Sequence, residues 1–594
     1  MPLATVPPSP NVLPGPSVPA DSAPRELPSA DDIVAHTLVN CLLREISGPE
    51  HQVTVTDGHL LVRLPRRHVL LRVRLRRTSL FGHRLVAPVT EQRAGSWEAV
   101  DWRRLAGYVS AELALRTGVE NDEFLDQIAS SYETVSAALA VHRTEGRHQH
   151  TGPADYLTSE QSLLFGHRFH PTPKAHNGAP ESWARYAPET GATFGLRLLA
   201  VRSHLIAEET TGDADAFAAL DRLYPKLPPG YRVLPVHPWQ YELLSDQPGL
   251  RHALDRGDIL DMGVGEKIFA ATASVRTLYD GNTFLKFSLN IQITNCLRKN
   301  ASYELGGAVA LTRILGPVLE DLRQRFPDST MLLEPAYRSL ALPGPDGIAD
   351  RPLLEGFGVI VREGLSARVR PSVTALLAAA VADEYPTSPA QVSQLLPNTD
   401  AETALRWWKA YLDLLVPPVL AAYFDYGVVL EPHLQNVLIG VDPAGLPVQM
   451  LFRDLEGAKL VPEQHAEALA SLLPEVAAAM SYDAVRAWDR LVYCLVVNNI
   501  AEMLGALADL RPDLETTLWT ALYDILDRYA AEYGCPPQLS ALLSGVPLPA
   551  KANLLTRWER KHNRDAGYVR LASPFALIGR VAVTPGADVV GDGR

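Results

Sequence analysis

The sequence predicts an α+β protein, on three observations. Stretches of helical periodicity and stretches of strand-like alternation both occur along the chain. At 594 residues the chain is several times the size of one hydrophobic core, which predicts two to four domains or subdomains. Apolar residues make up 47% and charged residues 21%, the composition of a folded protein able to enclose a cleft.

The elements follow in chain order. Residues 1–29 are rich in Pro, Ser and Ala with few large apolar residues, so they are expected to be a disordered leader. A helix is expected from Asp31, with Ser29 or Asp31 as its cap and Ile33, Val34, Leu38, Cys41 and Leu42 on its apolar face. Residues 53–75 read as strands: Asp57-Gly58 is a tight-turn signal, and Leu71, Val73 and Leu75 alternate with Arg72, Arg74 and Arg76 on what reads as a solvated face. Helical periodicity returns over 101–142, and 143–153 reads as a linker. These elements form a first region, 30–150. A second, 151–395, mixes short strands with helices and holds most of the polar clusters. A third, 396–584, opens with a helix over 402–424, passes through a hairpin and continues in amphipathic helices at 464–480 and 484–509; 585–594 is a short flexible tail.

Charge and motifs exclude several classes. A net charge of −13 argues against a general nucleic-acid partner. Four scattered cysteines (Cys41, Cys296, Cys494, Cys535) form no CxxC pair, so neither a disulfide framework nor a thiolate zinc site is expected. No basic segment followed by an apolar core opens the chain, and no run of about 18 apolar residues occurs, so the expectation is a cytoplasmic protein with no membrane partner. A Walker phosphate loop and a Gly-x-Ser-x-Gly elbow are both absent, and Gly263-Val-Gly265 lacks the third glycine of a dinucleotide fingerprint.

The most informative segment is Glu431-Pro-His433-Leu-Gln435-Asn436, followed by a strand, a turn at Asp442, and a second strand ending in Arg453-Asp454. Such a hairpin brings Asn436 and Asp454 together beside Glu431 and His433. Protein kinases space an acidic residue, an Asn and a post-hairpin Asp in this way to hold magnesium over nucleotide phosphates. Glu431, Asn436 and Asp454 supply the few oxygen ligands magnesium prefers. A second hairpin turns at Asp280-Gly281 and carries Ser274, Arg276, Thr277 and Lys286, hydroxyls and cations suited to a triphosphate. A three-residue turn sets Arg276 across from Lys286, a two-residue turn sets them on opposite faces, and the sequence admits both. Downstream, a helix beginning near 290 would place Thr294 and Asn295 on one face with Arg298, an arrangement that fits a carboxylate. His167, His170 and His176 lie in a Pro-rich loop of poor zinc geometry, so a cationic loop of His170 and Lys174 facing an anionic substrate is the better reading. Val236-His237-Pro238-Trp239-Gln240 suits packing as well as function.

Seven segments in one order, GHRFHPTPK (166–174), VHPWQ (236–240), SVRT (274–277), KFSLNIQITNCLR (286–298), EPHLQN (431–436), RDLEG (453–457) and KANLLTR (551–557), resemble the IucA/IucC family of NRPS-independent siderophore (NIS) synthetases. The resemblance implies a cupped hand of thumb, fingers and palm on the three regions above, the palm distantly kinase-like. It implies an iron-acquisition ligase that uses ATP and Mg2+ to adenylate citrate or a related polycarboxylate, releases pyrophosphate, and passes the acyl group to an amine or alcohol. By the same resemblance Ser274, Arg276, Thr277 and Lys286 hold the phosphates with Asn436 nearby, and Glu431, Asn436 and Asp454 surround magnesium. His170, Lys174, Thr294, Asn295, Arg298 and His433 meet the carboxylate, His433 also assisting proton removal. Relatives imply a homodimer. One departure stands out: after Lys174 the family more often has Ser-Arg, where this chain has Ala175-His176-Asn177. Two rival readings fit the motifs less well, a phosphotransferase releasing ADP and a non-catalytic homologue that binds nucleotide or carboxylate.

Overall fold

The computed structural model describes residues 27–144, 154–213, 215–294, 296–344, 346–396, 398–562 and 565–582. Most of the leader, residues 145–153 of the linker, Asn295 and the 585–594 tail lie outside the described residues. The last residues of the expected leader belong to the fold: Leu27 packs against an apolar cluster with Ile33 and Val135, and Ser29 caps the helix Ala30–Glu45 by accepting the Asp32 amide at 3.1 Å.

A five-stranded antiparallel meander follows, strands adjacent in sequence being adjacent in the sheet. Its first turn is Asp57-Gly58, both left-handed (φ 48° and 71°), as a two-residue hairpin requires. Leu71, Val73 and Leu75 face inward. The arginine row is solvated only in part, because Arg76 and the following Arg77 reach Asp509, each within 3.0 Å. Helices Trp102–Thr117 and Glu123–Thr144 cover the sheet's apolar face, and Leu554 and Trp558 return from the far end of the chain to complete that core.

The centre of the molecule is an eight-stranded antiparallel sheet in the order 206–210, 336–340, 359–362, 284–287, 277–279, 259–271, 193–202, 231–236. The glycines at 263 and 265 lie in one of its strands, and Gly195 is required opposite them, since a Cβ there would stand 2.5 Å from the Gly265 carbonyl. Helix Ser302–Arg325 packs against Ile360 on this sheet.

A four-stranded sheet, 329–331, 447–452, 437–441, 374–377, supports the last third, with 329–331 parallel to its neighbour. Helix Ala401–Phe424 lies against it and buries Trp407, Trp408 and Tyr411. The single helix expected at 464–480 is two, Pro462–Ala470 and Pro474–Met480, because Pro474 has no amide to donate and biases Leu473 toward extended backbone. Ala484–Leu510 is long and apolar enough to cross a membrane, and 89% of its most apolar 18-residue window is buried inside the protein. It is continuous but contains a π-helical stretch, Tyr493–Ile500.

Candidate active-site cleft

A cleft of about 520 Å³ opens where the three regions meet. Its floor carries Ala273 and Val275, from the approach to one hairpin, and Asn436 and Asp454, at the open end of another. In the first, Asp280 accepts the Asn282 and Thr283 amides at 2.8 and 2.7 Å and closes a four-residue loop, longer than either expected turn. The register therefore sets Thr277, not Arg276, opposite Lys286. Arg276 lies just outside the ladder, where its guanidinium contacts the Arg298 carbonyl at 3.3 Å and the Asn300 side chain. Ser274 accepts the Thr277 amide at 3.1 Å, which holds Val275 in the left-handed region at φ 67°. A β-branched residue rarely adopts that conformation, and strain of this kind collects at functional sites.

The second hairpin turns on Asp442, whose carboxylate accepts the Ala444 and Leu446 amides. At its open end Arg453 N–H donates to the Asn436 carbonyl at 3.0 Å, and Asp454 follows in a left-handed conformation (φ 70°) that turns its carboxylate into the cleft with Asn436. Lys286, buried, contacts both Asp454 and Glu456 there, and Arg362 donates to Asp454 at 2.8 Å. Burial alone would raise the Asp454 carboxyl, but these cations hold it well below its usual range, and the same carboxylates raise Lys286 against its own burial.

His433 and Glu431 stand beside this pair. Glu431 takes a 2.7 Å bond from Arg490 on one oxygen, and its other oxygen lies 3.8 Å from the His433 ring. Burial pushes His433 down to about 4, so the imidazole is neutral at physiological pH. His170 is also neutral, because it is buried and its Nδ1 accepts the Thr172 amide at 3.2 Å. The expected cationic loop is therefore corrected: His170 brings a neutral ring, and the Lys174 ammonium is already 3.3 Å from Glu189. His237 is a packing residue, fully buried, accepting the Trp239 amide and capping helix Pro238–Leu244.

The helix expected near 290 does not form. Residues 292–293 pair with 296–297 as a tiny hairpin, so Thr294, at φ 56°, and Arg298 reach the cleft from a turn and a loop, while Asn295 lies outside the described residues. The reason is in a neighbouring loop: Thr294 N–H donates to Ala175, Asn177 N–H to Gln292, and Gln292 N–H to the Asn177 side chain. The atypical Ala175-His176-Asn177 thus zips onto this hairpin, and His176 stacks on Trp183 at 4.2 Å.

The sequence reading missed other lining residues. Lys551, in the quoted KANLLTR segment, ends a strand at the cleft wall. Tyr493, Asn498 and Glu502 come from the π-helical stretch and the turn after it. Asn498 donates to the Tyr493 hydroxyl and contacts His167, and Asn499 donates to the Pro432 carbonyl at 2.8 Å, tying down the loop that carries His433. The available signal was two adjacent amides, Asn498-Asn499, in an otherwise apolar helix. Among the described residues no group of three or more His, Cys, Asp or Glu is arranged to hold a metal ion.

The architecture is mixed α and β, with Thr294, Arg298, Glu431, His433, Asn436 and Asp454 facing one cleft. The model superposes on the ATP-bound aerobactin synthetase IucA of Klebsiella pneumoniae with a TM-score of 0.81, at 23% identity, covering 92% of this chain and 99% of that one. Residues 155–383 match the IucA/IucC family, and residues 405–566 match the ferric iron reductase FhuF-like transporter family. The rhizobactin siderophore biosynthesis protein RhbC of Rhizobium meliloti is 28% identical over 562 residues, 90% of this chain and 94% of that protein. The L-2,3-diaminopropanoate–citrate ligase of Staphylococcus aureus is 30% identical over 446 residues, 70% of this chain and 75% of that protein. The chain belongs to the IucA/IucC family of siderophore synthetases. The span of the second match holds two cysteines, Cys494 buried and Cys535 exposed.

Proposed function

We propose that the protein is an ATP-dependent ligase that adenylates a carboxylate of citrate or a related polycarboxylate and condenses it with an amine or alcohol in siderophore biosynthesis. The observation that carries this reading is the convergence of Asp454, Asn436, His433, Arg298 and Lys551, from four separate segments, on one cleft, with Lys286 paired to Asp454 behind its wall. The thumb, fingers and palm division, with a kinase-like palm, is the arrangement that would let these segments close on a nucleotide.

In this reading Ser274, Arg276, Thr277 and Lys286 hold the triphosphate, and Arg298, Thr294, His170 and Lys551 hold the acid. An acid carboxylate oxygen attacks the α-phosphorus, the bond to the β-phosphate oxygen breaks, and pyrophosphate leaves. Cations fixed around the reacting oxygens stabilise the charge that develops there, usually the largest catalytic contribution. The amine nitrogen then attacks the acyl carbon, AMP departs with the bonding pair, and the amine proton passes to His433. A neutral imidazole has a free acceptor nitrogen, and Glu431 beside it stabilises the imidazolium that forms.

The donor set fits a magnesium ion accompanying ATP. Glu431, Asn436 and Asp454 all line the cleft, and about a third of the Asp454 side chain, 33%, is open to it. Asn436, Asp454 and the second oxygen of Glu431 would hold the ion, which would supply charge neutralisation on the phosphates.

The test is incubation with ATP, Mg2+ and hydroxylamine against a panel of carboxylic acids. AMP, pyrophosphate and one acid's hydroxamate are expected. ADP would instead identify a phosphotransferase.

A further inference from the structure

Ser274 stands just before a strand of the central sheet, and Asp454 just after a strand of the four-stranded sheet. The Lys286–Asp454 ion pair crosses between the two sheets inside the molecule. Behind the cleft wall Glu160 crosses between them as well.

Glu160 ends the short helix Tyr156–Glu160 and is fully buried. Its Oε2 accepts the Ala273 N–H at 3.0 Å and Arg453 Nη2 at 3.3 Å, and its Oε1 accepts Arg453 Nη1. On one side, Ala273 belongs to the loop that carries Ser274 and Arg276. The neck of that loop is closed by Thr272, whose N–H and hydroxyl donate to the Thr277 carbonyl at 3.1 and 2.7 Å, so the bond from Ala273 to Glu160 sets how the closed loop sits. On the other side, Arg453 Nε and Nη2 donate to the Gln435 carbonyl at 2.9 and 2.7 Å, and the Arg453 N–H donates to the Asn436 carbonyl. The guanidinium thus clamps the chain between His433 and Asn436, and Asp454 is the next residue.

Neither Glu160 nor Arg453 is among the described residues that line the cleft. Their pairing adds little stability by itself, since taking two charges out of water costs about as much as their attraction returns, and an apolar pair of similar volume is often as stable. A two-pronged carboxylate–guanidinium contact supplies geometry instead, because both groups are planar and the paired bonds fix their relative orientation. The bond from Ala273 extends that geometry to the opposite loop.

We propose that Glu160 is a positioning residue for adenylation: its carboxylate sets the spacing between the Ser274–Thr277 loop and the Asn436–Asp454 pair, so that a triphosphate and its magnesium ion meet both at once. This assignment rests on the ligase reading above. It also says where a disturbance will be felt. Moving Glu160 shifts the two loops that face the nucleotide relative to each other, whereas the groups assigned to the acid stand on other segments. The damage therefore falls on MgATP affinity and on kcat, and KM for the acid is spared.

Three variants of the full-length protein test it, each measured for acid-dependent ATP–pyrophosphate exchange, for MgATP affinity by calorimetry and for melting temperature. Glu160→Asp keeps the charge and withdraws the carboxylate by about 1 Å. Its exchange kcat is expected to fall by about 100-fold, the effect of a misplacement of that size. Its MgATP affinity is expected to fall by about tenfold, as when the support behind a metal ligand is lost. KM for the acid should change by less than about threefold. Ser159→Ala is the comparison. Ser159 lies on the same helix and its hydroxyl accepts the Leu377 amide at 2.9 Å, a bond to neither loop, so its loss should lower the melting temperature and leave kcat within about twofold of wild type. Glu160→Gln combined with Arg453→Gln leaves no buried charge unpaired, so this protein should melt near the wild type yet exchange slowly. Exchange by Glu160→Asp within about threefold of wild type overturns the assignment, as does a double variant that keeps rate together with stability, or a loss in Ser159→Ala equal to that in Glu160→Asp. Should Glu160→Asp not fold, the double variant decides, and failure of both to fold would reduce Glu160 to support of the core. Wild-type protein silent in exchange with every acid would sink the ligase reading itself, a result distinct from active wild type with unaffected variants.

Discussion

Lys286 and Asp454 stand 168 residues apart in the chain and form an ion pair at the floor of the cleft. Lys286 is buried, whereas about a third of the Asp454 side chain, 33%, remains open to the cleft. The pair joins the central sheet to the four-stranded sheet, so the cation proposed for phosphate and the carboxylate proposed for magnesium are set by one contact. Asp454→Asn leaves Lys286 its Glu456 partner, and the fold is expected to survive. ATP–pyrophosphate exchange is expected to fall by about 100-fold or more, as when a positioned charge-stabilising group is removed. An exchange rate within a few-fold of wild type would remove Asp454 from the nucleotide site.

His433 yields a pH prediction. Because burial holds it at about 4 in the free protein, it is neutral throughout pH 6–8. The kcat/KM for adenylation is therefore expected to show no inflection between pH 6 and 7, where an exposed histidine titrates. His433→Gln is expected to slow amide formation by about 100-fold, the usual range for a general base, while pyrophosphate exchange falls less. Appearance of an inflection near 6.5 that disappears in this variant would show that the ring is hydrated and titrates normally.

The loop that carries His433 depends on the π-helical stretch. Asn499 is fully buried, donates to the Pro432 carbonyl at 2.8 Å and accepts from the Tyr411 hydroxyl. Asn499→Leu leaves both groups without a partner and is expected to lower stability by about 1–3 kcal/mol for each buried group left unsatisfied. Tyr411→Phe removes the hydroxyl but keeps the Pro432 bond. It is expected to cost stability while sparing kcat, so comparing melting temperature with kcat in the two variants separates support of the core from support of the loop.

Much of the site was legible because its residues sit beside turns whose chemistry is local. Asp442 specifies its hairpin, and once the strands pair, Asn436 and Asp454 must converge. Asp280 was legible as a turn but not as a four-residue loop, since that length is set by side-chain bonds from Asp280 to two amides. The missing helix at 290 was illegible for a tertiary reason: Ala175 and Asn177, more than a hundred residues earlier, take the amides of 292 and 294. The first helix read correctly as helix, but that its face of His36, Thr37 and Asn40 lines the cleft is set by tertiary packing. A period-3.6 pattern names a face without naming what it meets.

The contact between chain ends gives the last prediction. Glu45, near the end of the first helix, accepts the Leu554 and Leu555 amides, both at 2.9 Å, and so caps the short helix after Lys551. Burial raises its carboxyl from 4.5 to about 7 despite those bonds. In the folded protein the proton is thus retained up to about pH 7, whereas the unfolded chain releases it near 4.5. Between those values the folded state binds more protons than the unfolded, so stability falls as pH rises through this window and stays reduced above it. The shift corresponds to about 3 kcal/mol as an order of magnitude. Glu45→Gln keeps one acceptor for the two amides and cannot ionise, so this part of the pH dependence should vanish. Urea unfolding of both proteins at pH 5, 6, 7 and 8 measures it: the wild-type free energy should decline relative to the variant across the series. A constant difference would mean that Glu45 is ionised at every pH and that water or Arg44 compensates its charge.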